Sequence, residues 1–239
     1  SINDKRFTFD KVIVAIGGSQ KLDALDWLKK LGYKTSPPVP SLFTFNMPNS
    51  PITDLMGVSV PNVILSIKGM NLKQSGSLLI THWGMSGPAI LKLSAFSAKD
   101  LAKINYDFII QINWLAINEE ELRHQFRGFI QSRKLMHNYN PFHIPKRLWH
   151  FILKKLEISE RQIWSEINKK NKNRLINMLV NDEFSVKGKT TFKEEFVTCG
   201  GIDLSEVNML TMQSKRHKEI FFAGELLNID GITGGFNFQ

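Results

Sequence analysis

The chain has little cysteine and no long apolar run. Cys199 is the one cysteine among 239 residues. It excludes an internal disulfide and favours a reducing compartment, so we expect a cytoplasmic protein. No apolar run approaches the roughly 18 residues that a membrane helix needs, and the first residues carry charges where a signal peptide would be apolar. We therefore expect no membrane partner.

Several motifs are also missing. No G-x-G-x-x-G sequence occurs in the chain, so the loop that holds a dinucleotide's pyrophosphate in doubly wound domains is absent. The histidines are not spaced with carboxylates as metal ligands are, which predicts no metal site. Gly84-Met85-Ser86 begins like a nucleophile elbow, but Pro88 breaks the pattern and argues against a hydrolase. We predict instead that Ser86 caps a helix.

The composition is 42% hydrophobic and 22% charged, as in an ordinary globular protein, and the formal net charge is +9. Much of the excess lies in the basic, helix-periodic stretch 116–181, which includes the run Asn168–Arg174. This run has the charge to contact phosphates, but no zinc spacing, aromatic RNA-binding motif or helix-turn-helix accompanies it. A solvated helix face is the other interpretation. Nucleic acid is therefore not the favoured partner.

Paired glycines follow three strand-like runs, at Lys11–Gly18, at Phe196–Gly201 and after Ile220–Ala223. A glycine pair lets a backbone approach a ligand closely because no Cβ intervenes. Glu225 and Asp230 are acceptors placed where the last strand ends, the edge at which open α/β sheets bind ligands. A glycine-rich turn between two core strands is the alternative.

The middle of the chain changes character twice. Three prolines within Ser36–Pro40 block a helix and a central strand, and we interpret them as the exit from a first domain. Weak alternation from Ser41 to Trp114 predicts a small antiparallel sheet or barrel. Apolar positions at helical spacing between Glu119 and Asn181 predict three or four helices. Lys187-Gly188-Lys189 predicts a hairpin turn, followed by a return to strand.

Four motifs carry a resemblance to a known family. VIVAIGGS, LLITHWGMSGPA, FVTCGGIDLSEVNMLTMQSK and GE-x4-DG-x-TGGFNFQ occur in this order. Together they resemble the BaiN-like, or aminoacetone-oxidase-type, FAD-dependent oxidoreductases. Ile16 stands where the family usually has threonine. The family opens with G-x-G-x-x-G upstream of VIVAIGG and continues into a helix after FNFQ. The chain therefore resembles an internal fragment of a flavoprotein.

The resemblance implies an α+β multidomain fold with a partial doubly wound FAD-binding domain, a β-rich, barrel-like middle domain and an all-helical insert. We assign residues 1–35 and 198–239 to the FAD-binding remnant, 36–115 and the return strands 182–197 to the middle domain, and 116–181 to the insert. Strands of the remnant would lack neighbours, which makes a dimer through exposed strand edges a candidate assembly.

The resemblance also implies a cofactor site. The implied FAD-binding residues are Gly17, Gly18, Gly224, Glu225, Asp230, Gly231, Gly234, Gly235, Phe236 and Asn237. Gly17-Gly18 would lie near the adenosine, Glu225 and Asp230 at ribityl or ribose hydroxyls, and Gly234–Asn237 near the isoalloxazine. Without the pyrophosphate loop we expect FAD binding by this chain to be weak or absent, with no turnover.

The function that follows is a fragment of an FAD-dependent oxidoreductase that carries the substrate-side domains. Its catalytic residues and small-molecule substrate stay unassigned, and NAD(P)H is a candidate reductant. A basic helical module that binds nucleic acid or an acidic partner is the alternative function.

Overall fold

The computed structural model describes residues 7–19, 21, 23–190 and 197–237. It divides the chain into two compact units. Unit 1 comprises Ser1–Leu42 and Thr191–Gln239, and unit 2 comprises Phe43–Thr190. The domain boundaries expected from the sequence, with a separate helical insert, stay a prediction.

Short strands and short helices alternate along the described residues. The strands are β1 Val12–Val14, β2 Thr35–Ser41, β3 Thr44–Asn46, β4 Ser59–Ile67, β5 Lys73–Ile80, β6 Gly84–Ser86, β7 Asp107–Asn113, β8 Asp182–Lys187, β9 Lys189–Thr190, β10 Val197–Ile202, β11 Val207–Asn208, β12 Gln213–Ser214 and β13 Ile220–Phe222. The helices are α1 Asp26–Lys30, α2 Pro88–Phe96, α3 Ala98–Lys103, α4 Glu119–Phe129, α5 Lys146–Lys155, α6 Lys169–Val180 and α7 Gly234–Asn237. Single 3₁₀ turns lie at Pro51–Leu55, Trp164–Glu166, Leu204–Glu206 and Gly224–Leu226.

Unit 2 is built on an antiparallel sheet with the strand order β8-β7-β4-β5-β6-β3-β9. Gly188 alone joins β8 to β9, which stand at opposite ends of that order. Its N–H donates to the Tyr106 carbonyl at 2.9 Å, and its own carbonyl accepts from the Asn46 N–H at 3.1 Å. The two ends of the sheet therefore meet at Gly188, and the sheet closes into a barrel.

The barrel corrects one prediction and explains another. The hairpin predicted at Lys187–Lys189 is wrong, because β8 pairs with β7 and β9 pairs with β3. Gly188 adopts a φ of +87°, which turns the chain across the closure. Along β4, Val63, Leu65 and Ile67 are buried in the core, as the period-two alternation predicts.

Ser86 does not cap the following helix as predicted. Helix α2 begins at Pro88 with Gly87 as its N-cap, at a φ of +97° and with no side-chain cap bond. Ser86 belongs to β6, where its hydroxyl accepts a hydrogen bond from Thr44 Oγ1 at 3.1 Å. Pro88 fits the first helical position, but the sharp change in backbone direction before it requires glycine rather than a polar cap.

The three longer helices between Glu119 and Val180 share the barrel's hydrophobic core. The side chains of Asn118 and Asn168 cap α4 and α6 by accepting from backbone N–H groups at 2.8 Å. An aromatic cluster binds the helices and their connecting loops into one body; it consists of Phe126, Phe129, Phe142, Trp149 and Trp164. None of the helices in the described residues has the length and apolar character needed to cross a bilayer.

Unit 1 holds a four-stranded sheet of order β1-β13-β12-β11 and a separate antiparallel pair, β10 with β2. The prolines of Thr35–Ser41 lie in strand β2, which pairs only with β10 among the described residues. An edge strand of this kind agrees with the expectation that these prolines block a helix and a central strand. The prediction of a buried strand at Lys11–Gly18 is also wrong for its apolar residues. Strand β1 pairs only with β13 among the described residues, and Ile13 is 72% exposed.

Gly188→Ala tests the closure of the barrel. Alanine at a φ of +87° costs about 1–2 kcal/mol, so we expect unit 2 to lose roughly that much stability in urea unfolding followed by tryptophan fluorescence. Gly128→Ala is the matched control, because Gly128 lies inside α4 with open space around it. It should stabilise the unit by up to about 1 kcal/mol. Equal, small effects of both variants would show that closure at Gly188 does not constrain the fold.

The ion pair between Glu206 and Arg216 makes the stability of unit 1 depend on pH. A hydrogen bond from Arg216 at 2.6 Å holds the pKa of Glu206 below its ordinary value. Because the folded pKa is depressed, its stabilising effect is present at neutral pH and is lost as the pH falls below about 4.3, the ordinary glutamate value. We expect the protection factors of the amides in β11 and β12, corrected for intrinsic exchange, to fall over that range, and Glu206→Gln to remove the dependence. An unchanged profile in the variant would contradict this assignment.

Candidate functional site

A cavity of about 210 Å³ lies in unit 1 where three segments distant in sequence meet. Residues 16–19 follow β1, residues 198–201 belong to β10, and residues 225–226 form the turn after β13. Ala24, Leu25 and Pro38 complete the lining. The cavity therefore lies beyond the carboxyl ends of the parallel strands β1 and β13, the position at which open α/β sheets bind ligands.

Gly18 fixes how closely these segments approach. Its N–H donates to Glu225 Oε2 at 3.1 Å. A Cβ at this position would overlap Thr198 Oγ1 and Glu225 Oε2. Gly17, at a φ of +74°, turns the chain into this contact. The glycine pair thus brings the β1 exit against both polar side chains, which a larger residue would prevent.

Thr198 presents an unsatisfied hydroxyl to the cavity. The residue is 2% exposed, and its Oγ1 has no hydrogen-bond partner among the described residues. A buried hydroxyl without a partner costs roughly 1–3 kcal/mol, so such groups are rare in native proteins and each one needs an explanation. Because Thr198 lines the cavity, its hydroxyl is the candidate group for a bond to a ligand there.

Gly200 and Gly201 serve packing rather than ligand contact. At φ values of +124° and +132° they lie against backbone carbonyls, and a Cβ would overlap Pro37 O and Leu226 O respectively. All six residues of β10 are buried. These glycines allow β10 to pass between β2 and the turn at 224–226, which places Thr198 at the cavity.

The structure brings together only some of the residues implied by the resemblance. Gly17, Gly18 and Glu225 line the cavity, and Gly224 precedes Glu225 in the chain. Asp230 and the segment 231–237 are absent from the lining.

The remaining residues form a separate anchored loop. Asp230 Oδ2 accepts from the Ser41 hydroxyl at 2.8 Å. Asn237 closes the loop by bonding both the N–H and the carbonyl of Gly231, at 2.8 and 2.9 Å. The assignment of these residues to a cofactor stays a prediction, and Phe238 and Gln239 of the same motif lie outside the described residues. Thr198 stands within the motif FVTCGGIDLSEVNMLTMQSK but is not among the residues that the resemblance implies, because sequence cannot show that a hydroxyl lacks a partner.

The chemistry of the lining suits a neutral polyhydroxyl group. It offers the Thr198 hydroxyl, the second carboxylate oxygen of Glu225 and glycine backbone, with no lysine or arginine. A carboxylate repels a phosphate, whereas it accepts well from sugar hydroxyls. The residues present thus fit a ribose or ribityl portion of a flavin dinucleotide and do not fit its pyrophosphate.

A larger cavity of about 720 Å³ lies in unit 2 between α5, the turn Pro51–Leu55 and β8. Several of its charged groups are engaged within the protein. Arg147 donates to the carbonyls of Asp54 and Met56 at 2.7 and 3.1 Å. Lys155 pairs with buried Asp182 at 2.5 Å. Burial raises the pKa of Asp182 in spite of the opposing Lys155. Since Arg147 and Lys155 bond within the protein, whereas the smaller cavity is lined by Thr198, whose hydroxyl has no partner among the described residues, the smaller cavity is the better candidate for a site.

Comparison with known proteins gives one family match. The family model of the HI0933-like protein barrel and H2TH domain matches residues 39–197, about two thirds of the chain.

Three curated relatives are also similar. The chain is 28% identical over 186 residues to a "Ribosomal RNA dihydrouridine synthase" of Escherichia coli, covering 77% of this chain and 44% of that protein. It is 27% identical over 246 residues to the Haemophilus influenzae protein of the same name, covering 100% and 59%. It is 25% identical over 250 residues to a "3-dehydro-bile acid delta(4,6)-reductase" of Clostridium scindens, covering 98% and 60%. The chain thus spans about half the length of these relatives.

Thr198→Val tests the unpartnered hydroxyl. Valine keeps the shape and removes the buried polar atom, so the free chain should be as stable as the wild type or more stable by up to about 1 kcal/mol in thermal unfolding. Thr198→Ser keeps the hydroxyl and serves as the control. A loss of more than about 1 kcal/mol in the valine variant alone would mean that the hydroxyl has a protein partner, and the site would lose its main support.

Proposed function

Because the chain belongs to the HI0933-like family, which is related to flavin-dependent oxidoreductases, we propose that it forms part of an FAD-dependent oxidoreductase. Its role is to hold the adenosine half of the cofactor in the cavity of unit 1. The family match confirms the resemblance found in the four motifs. The FAD cofactor, the site residues and the activity of the whole protein are the proposal.

The observation that carries the proposal is the unpartnered Thr198 hydroxyl beside Glu225 in a cavity without cations. Thr198 Oγ1 and the second carboxylate oxygen of Glu225 would bond the hydroxyls of the adenosine ribose. The backbone of Gly17 and Gly18 would allow the sugar to approach closely. Binding, orientation and exclusion of water are the tasks of these residues, and none of them is assigned a proton transfer.

When bound, FAD supplies the two-electron chemistry that no side chain of this cavity offers. Gly234–Asn237 are proposed to lie near its isoalloxazine, with Asp230 at a hydroxyl of the ribityl chain. The Asp230 carboxylate already accepts from Ser41, so it is held in one orientation. NAD(P)H stays the candidate reductant.

We further propose RNA as the substrate class. Two of the relatives are named for ribosomal RNA and one for a bile acid. The excess of positive charge in the helical part of unit 2 favours RNA over a bile acid. Residues 119–180 carry thirteen lysines and arginines against six aspartates and glutamates. A polyanionic substrate makes use of such an excess, whereas a steroid does not. Nucleic acid, not favoured by motif alone, becomes the better candidate once this charge and the names are combined.

Ligand competition tests the cofactor site. FAD added to the chain should bind weakly, with quenching of its fluorescence, and AMP should displace it at lower concentration than riboflavin does. Thr198→Val and Glu225→Gln should each weaken binding about tenfold, the loss of one good hydrogen bond to a ligand. Asp26→Asn, an exposed acidic residue of unit 1, is the matched control and should bind normally. Displacement by riboflavin and not by AMP would reject the adenosine assignment.

A further inference from the structure

We infer that unit 2 binds the sugar-phosphate backbone of RNA through one basic face at the C-terminal end of α4 and the N-terminal end of α6. The inference rests on the proposed RNA substrate and adds the surface that holds it. The basic face consists of Arg127, Arg133, Lys134, Lys169, Lys170 and Lys172. Five of these side chains are exposed and Lys172 is half-buried.

The fold gathers these cations from three separate segments. The loop before Leu135 runs beside residues 163–166, with an antiparallel bridge between Leu135 and Ile163. The Ser165 N–H donates to the Ser132 carbonyl at 3.0 Å, and the Trp164 N–H donates to the Lys134 carbonyl at 3.2 Å. Helix α6 starts a few residues later, so its first lysines lie next to this loop.

Aromatic side chains hold the face in place. Phe129 packs edge-on against Trp164 with ring centroids 4.8 Å apart, which joins the end of α4 to the turn before α6. Lys172 Nζ lies 5.7 Å from the Phe126 ring, and Lys134 Nζ lies 4.4 Å from the Tyr139 ring. The cations are therefore arranged on a packed support, which lowers the entropy lost when they bind a partner.

The charge of the face is not cancelled from within. In the part of the chain that the structure describes, none of the six cations forms an ion pair. Glu166 is the carboxylate nearest in sequence. Glu119–Glu121 belong to the opposite end of α4, and Glu119 lies about 12 Å along the axis from Arg127. That distance exceeds the screening length of roughly 8 Å at physiological ionic strength.

The absence of large exposed apolar side chains among the described residues near the basic face favours RNA over an anionic membrane surface. The large hydrophobic side chains that are exposed in the described residues include none between positions 119 and 181. A membrane-bound helix needs apolar side chains to insert, and this face has none to offer. It provides cations together with the amides of Asn171 and Asn173, the groups that contact phosphate and sugar in nucleic-acid complexes. Contacts of this kind position a strand without reading its sequence.

Fluorescence anisotropy with a labelled single-stranded RNA tests the inference at a series of salt concentrations. The slope of log K against log salt should be less negative by about 2 in the triple variant Arg127→Ala/Lys169→Ala/Lys170→Ala, since each lost contact to a single strand removes roughly 0.7. The control Lys30→Ala/Lys187→Ala/Lys218→Ala makes the same charge change elsewhere on the surface and should retain the wild-type slope. Changing the RNA sequence should leave the affinity unchanged.

The possible results distinguish an error in the assigned binding surface from an error in the proposed RNA substrate. If the wild type binds RNA and both triple variants lose the same slope, the face is the wrong surface while the RNA substrate stands. If the wild type does not bind RNA at low salt, both proposals fail, and the competition of AMP with FAD is unaffected. Tighter binding of phosphatidylserine vesicles or of an acidic peptide than of RNA would also overturn the inference.

Discussion

The missing side chain at position 18 is the constraint on which the candidate site depends. Gly18 bonds Glu225 through its N–H and lies against Thr198, so residues some two hundred positions apart in sequence share one cavity. Any Cβ there would push the exit of β1 away from β10 and from the turn at Glu225. The cavity lined by Thr198 and Glu225, with no lysine or arginine among its described lining residues, follows from this close approach.

The sequence predicted where the backbone makes close contacts better than it predicted which strands pair with each other. Paired glycines after apolar runs indicated tight backbone contacts, and the cavity is lined by two of these pairs. The parallel pairing of β1 with β13 joins residues too far apart for local pattern to reveal. Lys187-Gly188-Lys189 has the local sequence pattern of a hairpin turn, yet it lies where the barrel closes. A glycine with a positive φ fits a hairpin turn and a barrel closure equally well, so the local sequence does not distinguish them. The state of the Thr198 hydroxyl depends on every neighbour at once, and no motif encodes it.

The two units differ in the charge that they offer to a ligand. Unit 1 offers a neutral-to-acidic cavity of sugar size, and unit 2 offers a barrel core whose helices carry most of the excess positive charge. The run Asn168–Arg174 allowed two interpretations in sequence, a solvated helix face or a phosphate contact. The structure adds the loop at Arg133-Lys134 and the end of α4 to the same surface, and this three-segment arrangement favours a macromolecular polyanion as the partner of unit 2.

Hydrogen exchange of the chain, with and without a saturating concentration of FAD, is the decisive test of whether the cavity of unit 1 binds the cofactor. We expect added protection in three segments that meet at the cavity, residues 15–19, 197–202 and 224–227. Thr198→Val should reduce that protection in all three together. No added protection in these three segments at saturation, whether or not residues 230–237 are protected, would contradict the assignment of the cavity to the cofactor.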